Sequence, residues 1–380
     1  MVAAMVVLEG CSTDESGAAA VAEATHGWEV PPAGLDLVLA FASTRQDPHE
    51  VAAALAARLG DAPVVGCTTA GEHQGAAHMN GSLVVTGIST PGVRWATAVA
   101  DVRTFDEASA GAVRDALLAQ LGIEREDLDP QKHFCLVFID GLSCKEETVS
   151  SLMADALEGV PLLGGSAGDD LRFDATYVLH GGAAHRSGAV FAFAESDAPF
   201  RVIKHQHYTT TPASLVITRA DVPTRRVHEM DGYPALEAYA RALGMDAAAV
   251  TPDVTFMNPL TFVCNGEIYV RSIQRVEPDG SIIFYCAVEE GMVLSVGGHA
   301  DMVSSLAEES EKAPEAELFI AFNCILRALE ASKRALEAPL GRSLQRFGRH
   351  VVGFDTYGEQ LAGLHINQTL VGIALQGAAR

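Results

Sequence analysis

Short, nearly continuous apolar runs recur along the chain, each followed by a stretch with helical character. Residues 35–42, 133–140 and 316–323 are apolar at almost every position. Such runs predict strands covered on both faces, because a half-exposed strand alternates apolar and polar positions. A first strand is expected over 2–8. Ser12-Thr13-Asp14-Glu15 has the form of a capping box and predicts a helix running to Thr25. Asp47, Pro48 and Gly60 predict the start and end of a second helix. Residues 81–89 and 95–101 read as two arms of an antiparallel pair around Pro91-Gly92. Residues 144–157 predict a helix. Residues 175–179 and 187–194 predict a hairpin around Gly181-Gly182. Strands follow over 202–210 and 214–219, with Pro212 breaking the alternation, then a helix over 234–243. Beyond Pro252 the chain turns β-rich, over 261–264, 267–273 and 281–288. A helix capped by Asp301 and strands over 351–354 and 369–374 complete the pattern.

One phrase is used more than once. Val64-Val65-Gly66-Cys67-Thr68-Thr69-Ala70-Gly71-Glu72 returns as Val351-Val352-Gly353-Phe354-Asp355-Thr356-Tyr357-Gly358-Glu359, with six of nine positions identical. A degenerate copy, Leu162-Leu163-Gly164-Gly165-Ser166-Ala167-Gly168-Asp169-Asp170, lies between them. Each copy follows an apolar strand and a helix. The chain therefore predicts a mixed α/β fold of repeated βαβ-type units with additional antiparallel strands. Glycine-rich loops at strand ends are common ligand positions in such folds. A tight packing role explains at least two of the three copies, since one ligand needs one site. No Lys-Ser or Lys-Thr follows the glycines, which excludes a P-loop.

Charge and cysteine usage narrow the function. A formal net charge of −23 disfavours nucleic acid and anionic membranes as partners. The seven cysteines form no CxxC pair, as expected of reduced thiols in cytoplasm. No apolar stretch reaches the length of a membrane span. Leu8-Glu9-Gly10-Cys11 only faintly resembles a lipoprotein cleavage site, and no basic residue precedes it. The polar cluster over 221–231 offers the best boundary between two parts, 12–225 and 226–375.

Four phrases in order resemble the hallmarks of the FIST sensory proteins. They are the three glycine-rich copies and His365-Ile366-Asn367-Gln368-Thr369-Leu370. The resemblance spans nearly the whole chain, with a FIST N part over 12–225 and a FIST C part over 226–375. Asp355 departs from the family pattern and reads as drift. The resemblance implies ligand sensing in bacterial signal transduction rather than catalysis. Its stand-alone branch includes the NosP-type haem proteins, which sense nitric oxide and act on a separate histidine kinase or cyclic-di-GMP enzyme. On that reading the chain is a cytoplasmic protein carrying haem b, with a homodimer as one assembly open to it.

A b-type haem needs an apolar slot, an axial ligand and propionate partners. No CxxCH is present, so covalent attachment is excluded. His205-Gln206-His207-Tyr208 supplies the first candidates: on a strand His205 and His207 share a face and Gln206 and Tyr208 share the other. His207 is the expected iron ligand, with His205 and Tyr208 beside it. The same residues also fit a solvated edge strand. His365 and His180 are further ligand candidates, and Arg172, Lys204 and Arg271 are propionate partners or plain surface charges. Two other readings stand. The glycine loops suit an amino acid or related metabolite, with Thr68, Thr69, Ser166 and Thr356 as donors and Glu72, Asp169 and Asp170 for its amine. Cys67 or Ser166 would serve a hydrolase, although neither lies in a GxSxG elbow.

Overall fold

The computed structural model describes residues 4–31, 34–264, 266–312 and 316–377. Three units of the same plan follow one another. The first comprises β1 (Val6–Ser12), α1 (Gly17–Ala24), β2 (Leu37–Ala42), α2 (Pro48–Leu59), β3 (Val64–Thr68), β4 (Glu72–Gln74), β5 (Ala77–Met79) and β6 (Leu83–Ser89). The second comprises β7 (Val93–Asp101), α3 (Glu107–Leu121), β8 (His133–Ile139), α4 (Glu146–Ala156), β9 (Leu162–Ser166), β10 (Val178–His180), β11 (Ala183–His185) and β12 (Gly188–Ser196). The third opens with β13 (Phe200–His205) and is then interrupted. The interruption holds β14 (Tyr208–Asp221), β15 (Arg226–Met230), β16 (Tyr233–Pro234), α5 (Ala235–Ala242), α6 (Pro252–Met257), β17 (Leu260–Cys264), β18 (Glu267–Arg271), β19 (Ile273–Val276), β20 (Ile282–Phe284) and β21 (Val293–His299). The third unit resumes with α7 (Met302–Glu311), β22 (Ala316–Cys324), α8 (Ile325–Lys333), α9 (Glu337–Leu344), β23 (Gly348–Thr356), β24 (Glu359–Leu361), β25 (Leu364–Ile366) and β26 (Leu370–Leu375).

Each unit builds a six-stranded sheet with a hairpin lent by another. The orders are β1-β6-β2-β3-β10-β11, β7-β12-β8-β9-β24-β25 and β13-β26-β22-β23-β4-β5. Lending is cyclic: second to first, third to second, first to third. The inner faces of the three sheets meet in one core. Phe41 touches Phe354 and Phe138 at ring-centroid distances of 4.8 and 5.9 Å, and Phe138 lies 5.9 Å from Phe322. The outer faces are covered by α1 and α2, by α3 and α4, and by α7 and α9. The strands β2, β8 and β22 are buried along nearly their whole length, which is why their sequences show no alternation. The interruption folds as a separate eight-stranded sheet around its own core.

The repeated phrase marks the third strand of each unit. Its first glycine lies where parallel strands come closest. A Cβ on Gly66, Gly164 or Gly353 would sit 1.8, 1.8 or 2.0 Å from the carbonyl oxygen of Ala40, Val137 or Ala321. Three copies thus share one packing reason, as the repeated sequence requires.

Several expectations change. The strands 81–89 and 95–101 do not pair with each other: β6 joins β1 and β2, whereas β7 joins β12 in the next sheet. The Gly181-Gly182 hairpin is β10 with β11, and β12 lies apart from it between β7 and β8. The first strand begins at Val6, residues 2 and 3 lying outside the described residues. The cap of α1 is Ser16, whose hydroxyl accepts from the Ala19 amide, while Ser12 bonds Glu23. Asp47, Pro48, Gly60 and Asp301 cap as expected. The strand break falls at Gln206-His207 rather than around Pro212, where β14 continues with the expected irregularity, a shift of register between Thr210 and Ser214. The turn at 222–225 joins β14 to β15 inside the inserted sheet.

Candidate functional site

The second glycine of the phrase introduces the lent hairpin. Glu72 and Glu359 occupy the same place, opposite Phe354 and Gly165 of the receiving strands. Both carboxyls are fully buried. Glu72 bonds Thr69 and both the amide and hydroxyl of Ser82; Glu359 bonds Thr356 and both groups of Thr369. Burial pushes their pKa values up, to about 7 and about 8, against the hydroxyl and amide donors. In the second unit Val178 takes this place, opposite Cys67. The acidic job passes to Asp140, which accepts from the Ser187 and Leu142 amides and from Thr176. These acids hold loops, in keeping with a packing role for the glycine phrases.

The raised value at Glu359 gives a testable sign. A buried acid with a raised pKa binds more protons folded than unfolded, so stability falls as pH rises from about 4.5 through about 8. Glu359→Gln, which mimics the neutral acid, is expected to flatten that slope and to exceed wild type in urea midpoint at pH 9.

The third copy differs because its loop is longer. Residues 168–177 leave the surface of the three-sheet body with Asp170, Leu171 and Phe173 at φ of 55°, 62° and 53°. Left-handed backbone at Leu and Phe is costly and persists only where the surroundings enforce it. Asp169 does so. Its carboxylate accepts from the amides of Phe173, Asp174 and Ala175 and from the Tyr357 hydroxyl, and that hydroxyl in turn accepts from the Leu171 amide. Phe173 stacks on Tyr357 at 5.0 Å, yet Leu171 and Phe173 remain 40% and 47% exposed.

Beneath this loop lies a cavity of about 290 Å³ between the three-sheet body and the insertion. Tyr357, Ile325 and Leu329 supply its apolar wall, and Arg225, Gln274 and Tyr285 face it from the inserted sheet. Arg225 bonds Glu146 at 2.9 Å and Glu147 at 2.6 Å. Glu147 also accepts from the Ala287 amide, so the first turn of α4 joins the two bodies. Burial pushes Glu146 up, partly offset by Arg225, while His365 and Arg225 outweigh burial at Glu147 and hold it down. Asn367 borders the cavity with a buried Oδ1 that has no partner. Beside it, under Gly358, sits His365. Its Nδ1 meets Gln360, its Nε2 is unpartnered, and burial lowers its pKa to about 4.

The structure gives most residues expected at a haem other partners. His205 ends β13, and Gln206 and His207 break the strand, so the shared-face argument does not hold. His205 and His207 are buried, not the solvated edge that the alternation also allowed. His205 Nε2 bonds Ser305. His207 Nε2 bonds Glu330 at 3.1 Å, and its Nδ1 faces Arg327 Nη1 at 3.3 Å. Arginine can only donate, so Nδ1 accepts and Nε2 carries the proton. Neither nitrogen has a lone pair free for iron. Tyr208 bonds Glu330 and Gln368. Arg172 is exposed and donates to the carbonyls of Thr44 and Asp169. Neither His205 nor His207 borders the cavity. His207, Tyr208 and Arg172 do not fit a haem as arranged, while His205 at Nδ1 and His365 at Nε2 each keep an unpartnered ring nitrogen. The nucleophile candidates are equally occupied: Cys67 is buried in the central core with its thiol pushed well up by desolvation, and Ser166 accepts from Gln360.

One constellation escaped the sequence reading. Asp355 is no drift: it is fully buried and bonds His73, His78 and Asn323. His78-Met79-Asn80-Gly81-Ser82-Leu83 repeats His365-Ile366-Asn367-Gln368-Thr369-Leu370 at the same distance from the glycine phrase. That second copy was the available signal for His78.

The fold is that of a mixed α/β protein in which three repeated units carry an inserted sheet. The chain belongs to the FIST family: the FIST N domain matches residues 36–233 and the FIST C domain residues 235–362. Such domains serve ligand sensing in signal transduction. An uncharacterized protein of Methanocaldococcus jannaschii is 24% identical over 271 residues, 67% of this chain and 52% of that protein. The chain thus spans about half the length of that relative. A structure of cyanuric acid hydrolase aligns with 98% of this chain and 100% of its own at 12% identity and a TM-score of 0.34; so low a score carries nothing over to this chain. No helix among the described residues is long and apolar enough to cross a membrane.

Proposed function

We propose that this chain senses a small zwitterionic metabolite of the amino-acid type, held between the three-sheet body and the inserted sheet. The observation that carries the reading is the cavity that pairs Arg225 with Glu146 beneath the enforced left-handed loop. A ligand carboxylate would take Arg225, its ammonium Glu146 and the free Asn367 oxygen, and its side chain the Leu171–Phe173 loop. Because the two bodies share the cavity, a ligand that touches both favours one relative placement over others. A separate histidine kinase or cyclic-di-GMP enzyme would read that placement.

The test is a thermal-shift screen of the twenty amino acids and their amides, followed by calorimetry on hits. Ligand at 100 times Kd is expected to stabilise by about 2.7 kcal/mol. Phe173→Ala should weaken binding roughly tenfold through lost apolar contact, about 1.4 kcal/mol, while leaving the unliganded melting temperature nearly unchanged. The haem and nitric-oxide reading is decided on the same sample. A stoichiometric Soret band that moves on adding nitric oxide would overturn the metabolite reading; the axial ligand would then be His365 or His205, each with an unpartnered ring nitrogen, or a His207 that has left Glu330.

A further inference from the structure

We infer that His73, His78 and Asp355 form a site for one divalent transition-metal ion, zinc by its ligand chemistry. His73 and His78 face each other across the β4–β5 hairpin, their rings 4.9 Å apart. Both aim Nε2 at one carboxylate: His73 lies 2.8 Å from Asp355 Oδ1 and His78 2.6 Å from Oδ2. The three ligand atoms lie within 4.8 Å of one another. Bonds of about 2.0–2.2 Å to nitrogen and oxygen place tetrahedral ligands roughly 3.3–3.5 Å apart, so small rotations close the set around an ion.

The other two copies of this place provide an internal comparison. The residue matching Asp355 is Ser166 in one and Thr68 in the other, and the paired hairpin positions are Gln360–His365 and Leu179–Ala184. The fold therefore builds this joint without any ligand set, and Asp-His-His is a feature of one copy alone. An outer shell is present. Asn323 donates to Asp355 Oδ1 at 2.7 Å, and Arg327 holds the Asn323 oxygen at 3.1 Å. Such partners orient first ligands and tune affinity. A cavity of about 50 Å³ adjoins His73, His78 and Asn323, with Leu306, Leu340 and Leu344 beyond. It is the size of a water or two, which suits a fourth, exchangeable ligand. His78 keeps 21% of its side chain exposed and gives the ion access. A second grouping, His207, His299 and Glu330, is less apt because Arg327 and Arg334 already contact its members.

Two histidines from the first unit and an aspartate from the third make the ion a clamp between distant parts of the chain. Binding replaces the Nε2 protons, so affinity falls as pH falls. The experiment uses tag-free protein stripped with chelator, titrated with zinc against a competing chelator, with cobalt(II) as a spectroscopic substitute. The expected result is one zinc per chain with Kd below about 1 µM, a raised melting temperature, and cobalt absorption of tetrahedral type. Asp355→Asn and His78→Ala should each weaken binding at least 100-fold, Asn323→Ala by about 10–100-fold, and the exposed His26→Ala not at all. If Asp355→Asn fails to fold by circular dichroism, His78→Ala, at the partly exposed edge of the site, decides alone. Absence of a stoichiometric site in wild type, or zinc binding that survives His78→Ala unchanged, overturns the inference.

Discussion

Alanine at Gly353 is expected to leave the protein largely unfolded. The new Cβ would stand 2.0 Å from the Ala321 carbonyl oxygen, far inside van der Waals contact. Both strands are central in their sheet and buried on both faces, so neither can move away without opening the core. Overpacking costs about 1–3 kcal/mol where side chains can yield. Here the obstacle is backbone, and separating β22 from β23 adds lost ladder bonds, so a cost above about 4 kcal/mol is expected. That is a large share of the roughly 5–15 kcal/mol that holds a typical domain. Gly66→Ala meets the Ala40 oxygen at 1.8 Å and should behave alike. Gly122→Ala is the contrast. It closes α3 with φ 66° and no atom lies within 4 Å of its would-be Cβ, so only the left-handed backbone is penalised, by about 1 kcal/mol. Urea unfolding of the three variants separates the cases. A well-folded Gly353→Ala protein would refute close strand approach as the reason for the repeated phrase.

The second large effect is expected at Arg225. Removing it leaves Glu146, 1% exposed, beside Glu147 with no cation between them. Breaking a buried pair from one side costs about 3–5 kcal/mol. Arg225→Ala should therefore lower stability by that order and abolish ligand binding in calorimetry. The loss carries a pH signature. Burial already raises Glu146, and without Arg225 it rises further. The folded variant then binds more protons than the unfolded chain, and its stability falls as pH rises above the unfolded value of about 4.5. The gap from wild type should be wider at pH 8 than at pH 6. Replacing both groups, Arg225→Met with Glu146→Leu, should recover most of the stability and none of the binding. Recovery of binding would remove the pair from the ligand site.

The repeated phrase made much of this fold legible. It fixed three equivalent strand ends, and the continuous apolar runs before it fixed their buried neighbours. What failed was pairing. The strands 81–89 and 95–101 meet at Pro91-Gly92 like a hairpin, yet the chain there passes from one sheet to the next. Nothing local distinguishes the two outcomes, because register and partner depend on which face a distant strand buries. The lent hairpins were invisible for the same reason. At the site, His205 and His207 were legible as unusual but not as buried, since partners such as Glu330 lie more than a hundred residues away. Asp355 was misread because its meaning depends on His73 and His78, near the other end of the sequence. The second copy of the His-x-Asn phrase, at His78 and His365, was the one local trace of that meeting.

Cyclic lending also governs the order in which the chain can be completed during synthesis. The β4–β5 hairpin leaves the ribosome early, but its partner strand β23 pairs Gly353 with His73 and emerges almost last. At about 5–20 residues per second, the hairpin waits on the order of tens of seconds with its backbone edge bare. A chain stopped before Gly348 never supplies that partner, so release of a truncated product exposes a ready template for aggregation.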